Sequence, residues 1–315
     1  MPNWGEILAE LQATEDATGT IQFDEVRERY LTELFQVTGR PAILYYTDWM
    51  TTTQNNPATS MQPIDVQGFM GAVHGLKGKK LDLILHVPGG DIAATQSIVE
   101  YLRSKFSHIR AIVPLAAMSA GTMLALACDE IVMGAHSNLG PIDPQMLVNG
   151  QYISSGALID DFVRAAAQTA QNPEAFRVWG PILAQYRPGL ISDCQQAEAL
   201  TKDLARRWLA AGMLKDRPGQ AQDVAAWFAD DNEHLIHSRP ITREQARQQG
   251  LAIRFLEGSQ EEQEAVLSVH HATLLSLTGT DTVKIIENHL GGPSHRFVVS
   301  PKVAMVPVPP QIPPT

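Results

Sequence analysis

The chain has 315 residues, 44% of them hydrophobic and 18% charged, which excludes a disordered polymer and requires a sizeable core. Lys plus Arg number 24 against 34 Asp plus Glu, a net charge of −10 with no basic cluster, so nucleic acid is excluded as the expected main partner. The first residues lack a basic segment followed by an apolar one, so no signal peptide is expected.

In chain order, Asp24 to Gln36 predicts a capped helix ended by Gly39-Arg40-Pro41, and Ala42 to Thr47 a strand. Asp48 to Ile64 reads as a polar loop, and Asp65 as the cap of a helix carrying Val66, Phe69 and Val73. Leu81 to Val87 is a buried-strand pattern closed by the turn Pro88-Gly89-Gly90. A helix over Ile92 to Phe106 and a second buried strand over Ile109 to Pro114 follow.

The longest uncharged run is Ala111 to Cys128, eighteen residues, the length at which a membrane helix becomes a candidate. Its strand-like start, Pro114 and the small residues around Ser119 instead divide it into a core strand, a turn and an Ala-rich helix. A third strand is expected near Ile131 to Met133. Strands alternating with helices argue for parallel crossover units.

The second half is mostly helical from Ala157 to Met213, with breaks at Asn172-Pro173 and Pro188-Gly189. A short helix over Ala221 to Asp230 is expected next. Thr242-Arg243-Glu244-Gln245 and Ser259-Gln260-Glu261-Glu262 have the spacing of capping boxes, the second opening a helix to about Thr278. The Pro-rich tail from Pro307 predicts an extended or disordered arm. Cys128 and Cys194 have no paired spacing and read as buried free thiols in a reducing compartment.

Ser119 follows a buried strand and opens a helix, at the strand's carboxyl end where open α/β folds place their sites. Taken alone it also reads as an ordinary cap. Pro88-Gly89-Gly90 frees backbone amides at the equivalent end of the preceding strand, though a Gly pair is also a plain turn. Side by side, the Gly90 and Ala120 amides would flank a carbonyl attacked by Ser119, the arrangement of acyl transfer.

The stretches LDLILHVPGGDIAATQSIVEYLR, AIVPLAAMSAGTMLALACDEIVMG and HSNLGPIDPQ resemble the serine dehydrogenase proteinase family, relatives of signal peptide peptidase A in the Clp protease/crotonase superfamily. The likeness continues loosely through HSRPITREQARQQGLA. It implies an α/β fold with a repeated ββα spiral core and a helical C-terminal portion. It also implies a serine peptidase with Ser119 as nucleophile and Gly90 and Ala120 as oxyanion amides. The implied partners are a peptide or unfolded-protein substrate and further copies in a homo-oligomer. No cofactor, metal or transmembrane segment is implied, and a cytoplasmic place is expected.

The resemblance and the residues together divide the chain into N-terminal helices (1–40), a catalytic core (41–155) and a helical extension completing it (156–256). A C-terminal helix with strands (257–306) and the Pro-rich tail (307–315) complete the division. The N-terminal helices and the helix with Leu267, Leu274, Leu275 and Leu277 are candidate assembly surfaces or ordinary core.

The general base is the point of departure. Where Clp-type peptidases carry a histidine stands Pro141-Ile142-Asp143, and no lysine occurs between Lys105 and Lys202, where signal peptide peptidases carry theirs. Lys202 is the first downstream candidate, in a helix with apolar Leu200 and Leu204 beside it; a solvent-facing lysine is the plainer reading. His136, His237, Asp143 or a neighbouring subunit are the alternatives. The adjacent His270 and His271 make no metal site. Two rival functions share the expected fold: a crotonase-like enzyme holding an acyl-CoA enolate in the same two-amide hole, and a scaffold that lost its base.

Overall fold

The computed structural model describes residues 4–51, 56–291 and, for the backbone alone, 295–298. The Pro-rich tail lies outside the described residues.

Five short, strongly apolar segments form parallel strands: β1 (Ala42–Thr47), β2 (Lys80–His86), β3 (His108–Val113), β5 (Glu130–Met133) and β10 (Ile253–Phe255). Two antiparallel strands, β11 (Thr282–Asn288) and β12 (His295–Val298), extend them into one sheet, ordered β10-β5-β3-β2-β1-β11-β12. Nearly every residue of β1, β2 and β11 is buried, because helices cover both faces and neither face can be polar.

On one face lie α3 (Asp65–Val73), α4 (Ile92–Lys105) and α5 (Ala120–Leu126). The last part of α8 (Leu190–Ala211) and α9 (Gln220–Phe228) join the same core through Leu204, Leu209, Val224 and Phe228. On the other face lie α1 (Trp4–Thr18), α2 (Phe23–Thr38) and α12 (Gln260–Gly279). The crossover reading of the sequence is thus the observed one, from β1 through α3, β2, α4 and β3 to β5.

A second, small sheet has β4 (Ala116–Ala117), β6 (Asn138–Leu139) and β9 (Ile241–Thr242) in that order. β4 and β6 are parallel and β9 is antiparallel to β6. A hairpin of β7 (Gln145–Val148) and β8 (Gln151–Ser154) leads into α6 (Ser155–Gln171). α6 packs with the start of α8 around Leu158, Leu190 and Cys194, while α7 (Phe176–Leu183), between them in the chain, has no buried residue. The short α10 (Asp231–His234) and α11 (Arg243–Gln248) flank β9.

Several local readings change in the folded chain. The α2 helix begins at Phe23, so Asp24 lies inside its first turn and bonds Arg27 instead of capping. Asp65 is the first residue of α3 and forms a buried ion pair. Ser259 accepts the Glu262 amide, but the Glu262 carboxylate turns to Arg254 and Arg110, so only half of that box closes. The Thr242–Gln245 box closes fully. The α12 leucines are core: Leu267, Leu275 and Leu277 are buried and Leu274 partly so, which removes them as an assembly surface. The uncharged run divides into β3, β4 and α5, and among the described residues no helix is long and apolar enough to cross a membrane.

Burial holds the His86 imidazole, at the end of β2, down to about 4 from the usual 6.5, outweighing its hydrogen bond to the Ala116 backbone. Between those two values the unfolded chain binds the proton that the folded chain refuses, so stability falls as pH drops. This group alone is expected to remove about 3 kcal/mol between pH 6.5 and 4. Urea melts across that window should show a shallower loss for His86→Gln than for the wild type; parallel curves would refute the assignment.

Candidate active site

The strand ends bring together the segments picked out in the sequence. Beyond β2, Val87 pairs with Ala117 in a parallel bridge, and the Met118 N–H donates to the Val87 carbonyl at 2.9 Å. This draws Pro88-Gly89-Gly90 alongside Met118-Ser119. A Cβ on Gly89 would lie 2.7 Å from the Ser119 Cβ and 3.1 Å from the Ala120 nitrogen, so only glycine permits the approach. Its φ of +119° also lies where L side chains are strained.

Ser119 itself is strained, with φ 50° and ψ −118°. A non-glycine residue there costs about 1–3 kcal/mol and persists only where its surroundings fix it. They do so here. The Gly121 N–H donates to the Met118 carbonyl at 2.7 Å, and the Met123 N–H to the Ser119 carbonyl at 3.0 Å. Gly121 lets α5 start directly on Val87, whose carbonyl would lie 3.1 Å from an added Cβ. The result is a sharp strand-to-helix elbow with a half-buried serine at its tip.

Ala120 is the first residue of α5, where N–H groups precede the helix's own hydrogen-bond ladder. Gly90, at φ +147°, is flanked on its other side by Met61. That pairing uses the Gly89 carbonyl (2.7 Å) and the Asp91 N–H (3.0 Å), and does not involve the Gly90 N–H.

The small sheet adds a third component. The Thr122 hydroxyl donates to the Ala117 carbonyl at 2.7 Å and accepts the Gly140 N–H at 2.9 Å, tying the elbow to the end of β6. The chain leaves β4 toward Ser119 and leaves β6 toward Asp143 in the same direction, because the two strands are parallel. The antiparallel β9 is entered from that same end, by way of His237.

There His237 Nδ1 meets Asp143 Oδ1 at 2.7 Å, and Gln145 Nε2 donates to Asp143 Oδ2, also at 2.7 Å. Asp143 is buried and His237 is partly open. A carboxylate on Nδ1 fixes the tautomer with its proton there, leaving Nε2 as the proton acceptor. The pairing of Asp143 with His237 is invisible in the sequence, since 94 residues separate them.

The other candidate bases have different surroundings. Lys202 lies on α8, with Nζ 3.4 Å from Glu198 Oε2 and 39% of the side chain exposed. Glu198 also accepts the Ser155 hydroxyl, so the pair is tied to the start of α6. His136 precedes β6, at the opposite end of that strand from Gly140, and is exposed. Cys128 and Cys194 are free and buried, with the Cys128 thiol pushed up to about 12 by burial. Among the described residues no cluster of ligands suits a metal ion.

Residues 70–168 match the family described as ClpP-like SDH-type serine proteinase. That span contains Gly90, Ser119, Ala120 and Asp143; Lys202 and His237 lie beyond it. The family resemblance read from the motifs holds, and the fold is the ClpP-like α/β core with a helical C-terminal portion. Two uncharacterized proteins of Methanocaldococcus jannaschii are similar to this chain. One is 31% identical over 179 residues, covering 56% of this chain and 54% of the relative. The other is 41% identical over 78 residues, 25% of this chain and 26% of the relative. The chain thus spans about half the length of one relative and a quarter of the other.

Two solved structures of mutants of the 1510-N membrane-bound stomatin-specific protease also align. The first has 16% identity and a TM-score of 0.36, over 62% of this chain and 74% of that one. The second, in complex with a substrate peptide, has 17% identity and a TM-score of 0.29, over 67% and 94%.

The crowding at the elbow can be measured. Gly78 has a positive φ in open space, so Gly78→Ala should cost only backbone strain, roughly 1 kcal/mol. Gly89→Ala adds the clash with Ser119 and should cost roughly 2–4 kcal/mol in denaturant melts. Equal costs would show that the strand end relaxes away from Ser119.

Proposed function

We propose that this chain is a serine peptidase of the ClpP-like SDH type, with Ser119 as nucleophile, His237 as general base and Asp143 as the group that orients it. The Asp143–His237 hydrogen bond, formed at the same end of the small sheet as the Ser119 elbow, is the observation that carries the reading.

In this reading His237 Nε2 takes the Ser119 hydroxyl proton as Oγ attacks the scissile carbonyl. The buried Asp143 carboxylate stabilises the imidazolium that results. The Gly90 and Ala120 amides hold the developing oxyanion, and the Ala120 amide gains from the α5 dipole. The imidazolium then gives its proton to the leaving amine. Water, activated by the same nitrogen, hydrolyses the Ser119 ester and restores the serine.

The substrate class is a peptide or unfolded protein, as the match of residues 70–168 to a serine proteinase family supports. Phe176 and Val178 on α7 are 60% and 65% exposed and give apolar area for a further copy of the chain in a homo-oligomer. The buried free thiols fit a reducing, cytoplasmic setting.

Lys202 is the rival base. To act it would have to leave Glu198 and lose its proton, whereas His237 is already oriented by Asp143.

The test is covalent labelling by a fluorophosphonate together with peptide turnover. Ser119→Ala should abolish both. His237→Ala and Asp143→Asn should each slow turnover by about 10²–10⁴-fold while leaving the fold intact. Lys202→Ala should stay within about twofold of wild type, since an exposed lysine paired on its own helix contributes little. Full activity in His237→Ala with loss in Lys202→Ala would transfer the base to the lysine. Equal peptidase rates for wild type and Ser119→Ala would overturn the peptidase reading.

A further inference from the structure

Lys284 is fully buried in β11, on the opposite side of β1 from β2, and the chemistry described above makes no use of it. Its Nζ lies 2.8 and 2.9 Å from the two oxygens of Asp65, also fully buried, and donates to the Ser60 carbonyl at 2.8 Å. Asp65 Oδ2 further accepts the Tyr45 hydroxyl at 2.6 Å and the Gln62 N–H at 2.9 Å. Lys284 therefore grips the 60–65 segment at Ser60 and, through Asp65, at Gln62. The residue between those two anchors is Met61.

Met61 is the neighbour that fixes the Gly89–Asp91 backbone. Its N–H donates to the Gly89 carbonyl and its carbonyl accepts the Asp91 N–H. A Cβ on Gly90 would collide with the Met61 nitrogen and carbonyl oxygen, so the two backbones are in direct contact. The Thr95 hydroxyl also reaches the Met61 sulfur at 3.0 Å, so the same residue is held from α4 as well.

We infer that Lys284 is a positioning residue for the oxyanion site: through Ser60, Asp65 and Met61 it sets where the Gly90 amide points. The inference rests on the proposed peptidase reading, in which that amide stabilises the oxyanion. A buried ion pair is a poor source of net stability but a strict geometric constraint, because neither charge can move without losing its partner. An oxyanion donor requires that constraint, since its contribution depends on lying at hydrogen-bond distance from an oxygen that exists only transiently.

Lys284→Met alone leaves Asp65 buried without its cation, so Lys284→Met with Asp65→Asn is the working variant. It removes both charges and keeps acceptors for Tyr45 and Gln62. Four quantities are measured on the full chain: the thermal melt, KM and kcat for a peptide substrate, and the inhibition constant of a peptide aldehyde, which forms a tetrahedral oxyanion on Ser119.

The expected result is a folded double variant with KM within about threefold of wild type, and kcat and aldehyde affinity each reduced roughly 10- to 100-fold. Loss confined to the tetrahedral state marks a displaced oxyanion donor. A folded variant that keeps kcat and aldehyde affinity, or that loses KM and aldehyde affinity in equal proportion, would overturn the inference while leaving the Ser119 reading intact. An unfolded double variant would assign the pair to folding and likewise overturn it. A wild-type chain that neither labels at Ser119 nor binds the aldehyde would fail the peptidase reading first, and this inference with it.

Discussion

The close approach of two backbones at the ends of β2 and β4 is the constraint on which the site depends. Residues 87–91 run between Met61 on one side and Ala117–Met118 on the other, and hydrogen-bond to both. A chain so enclosed has no room for Cβ atoms at its centre, hence Gly89 and Gly90. The strain at Ser119 persists because this enclosure leaves the turn no other course. The same packing starts α5 at Ala120 and brings Gly140 and the chain leading to Asp143 against Met118.

Buried polar networks hold the surrounding scaffold in register. Asp82, in the middle of β2, faces Arg110 across the strand pair and accepts hydrogen bonds from both Arg110 and Arg40. Arg110 continues to Glu262 on α12, and Glu262 to Arg254 on β10. Arg27 on α2 is buried against Glu287 and Ser276, pinning α2 to β11 and α12. A register slip would leave such charges buried and unpaired, which costs several kcal/mol each. Apolar packing alone tolerates rearrangement more readily, so these pairs fix which strand residues face one another.

Much of the core was legible because its strands are continuous apolar runs between turn residues. Ser119 and the Gly pair were legible because small residues and a helix start followed such runs. The β7–β8 hairpin is also written in the chain, as Asn149-Gly150 with positive φ at both residues. Asp65 shows the opposite case. A lone Asp before an apolar helix looks like a cap, and only the arrival of Lys284 from 219 residues away turns it into half of a buried ion pair. The α12 leucines looked like surface or core equally well, since a helix buried on most sides has no polar face to give it away.

The sequence by itself determined the crossover order, the elbow at Ser119 and the family match, because each is carried by a short contiguous segment whose residues act on their own backbone. The tertiary structure alone decided that His237 meets the buried Asp143, that Lys202 pairs with Glu198 on its own helix, and what stands behind the Gly90 turn. His237 and Asp143 meet because β9 runs antiparallel to β6, and Lys284 reaches Ser60 and Asp65 because β11 closes against β1. Both are pairings between distant segments, fixed by strand register and by the cost of burying an unpaired polar group, and neither leaves a local pattern in the chain.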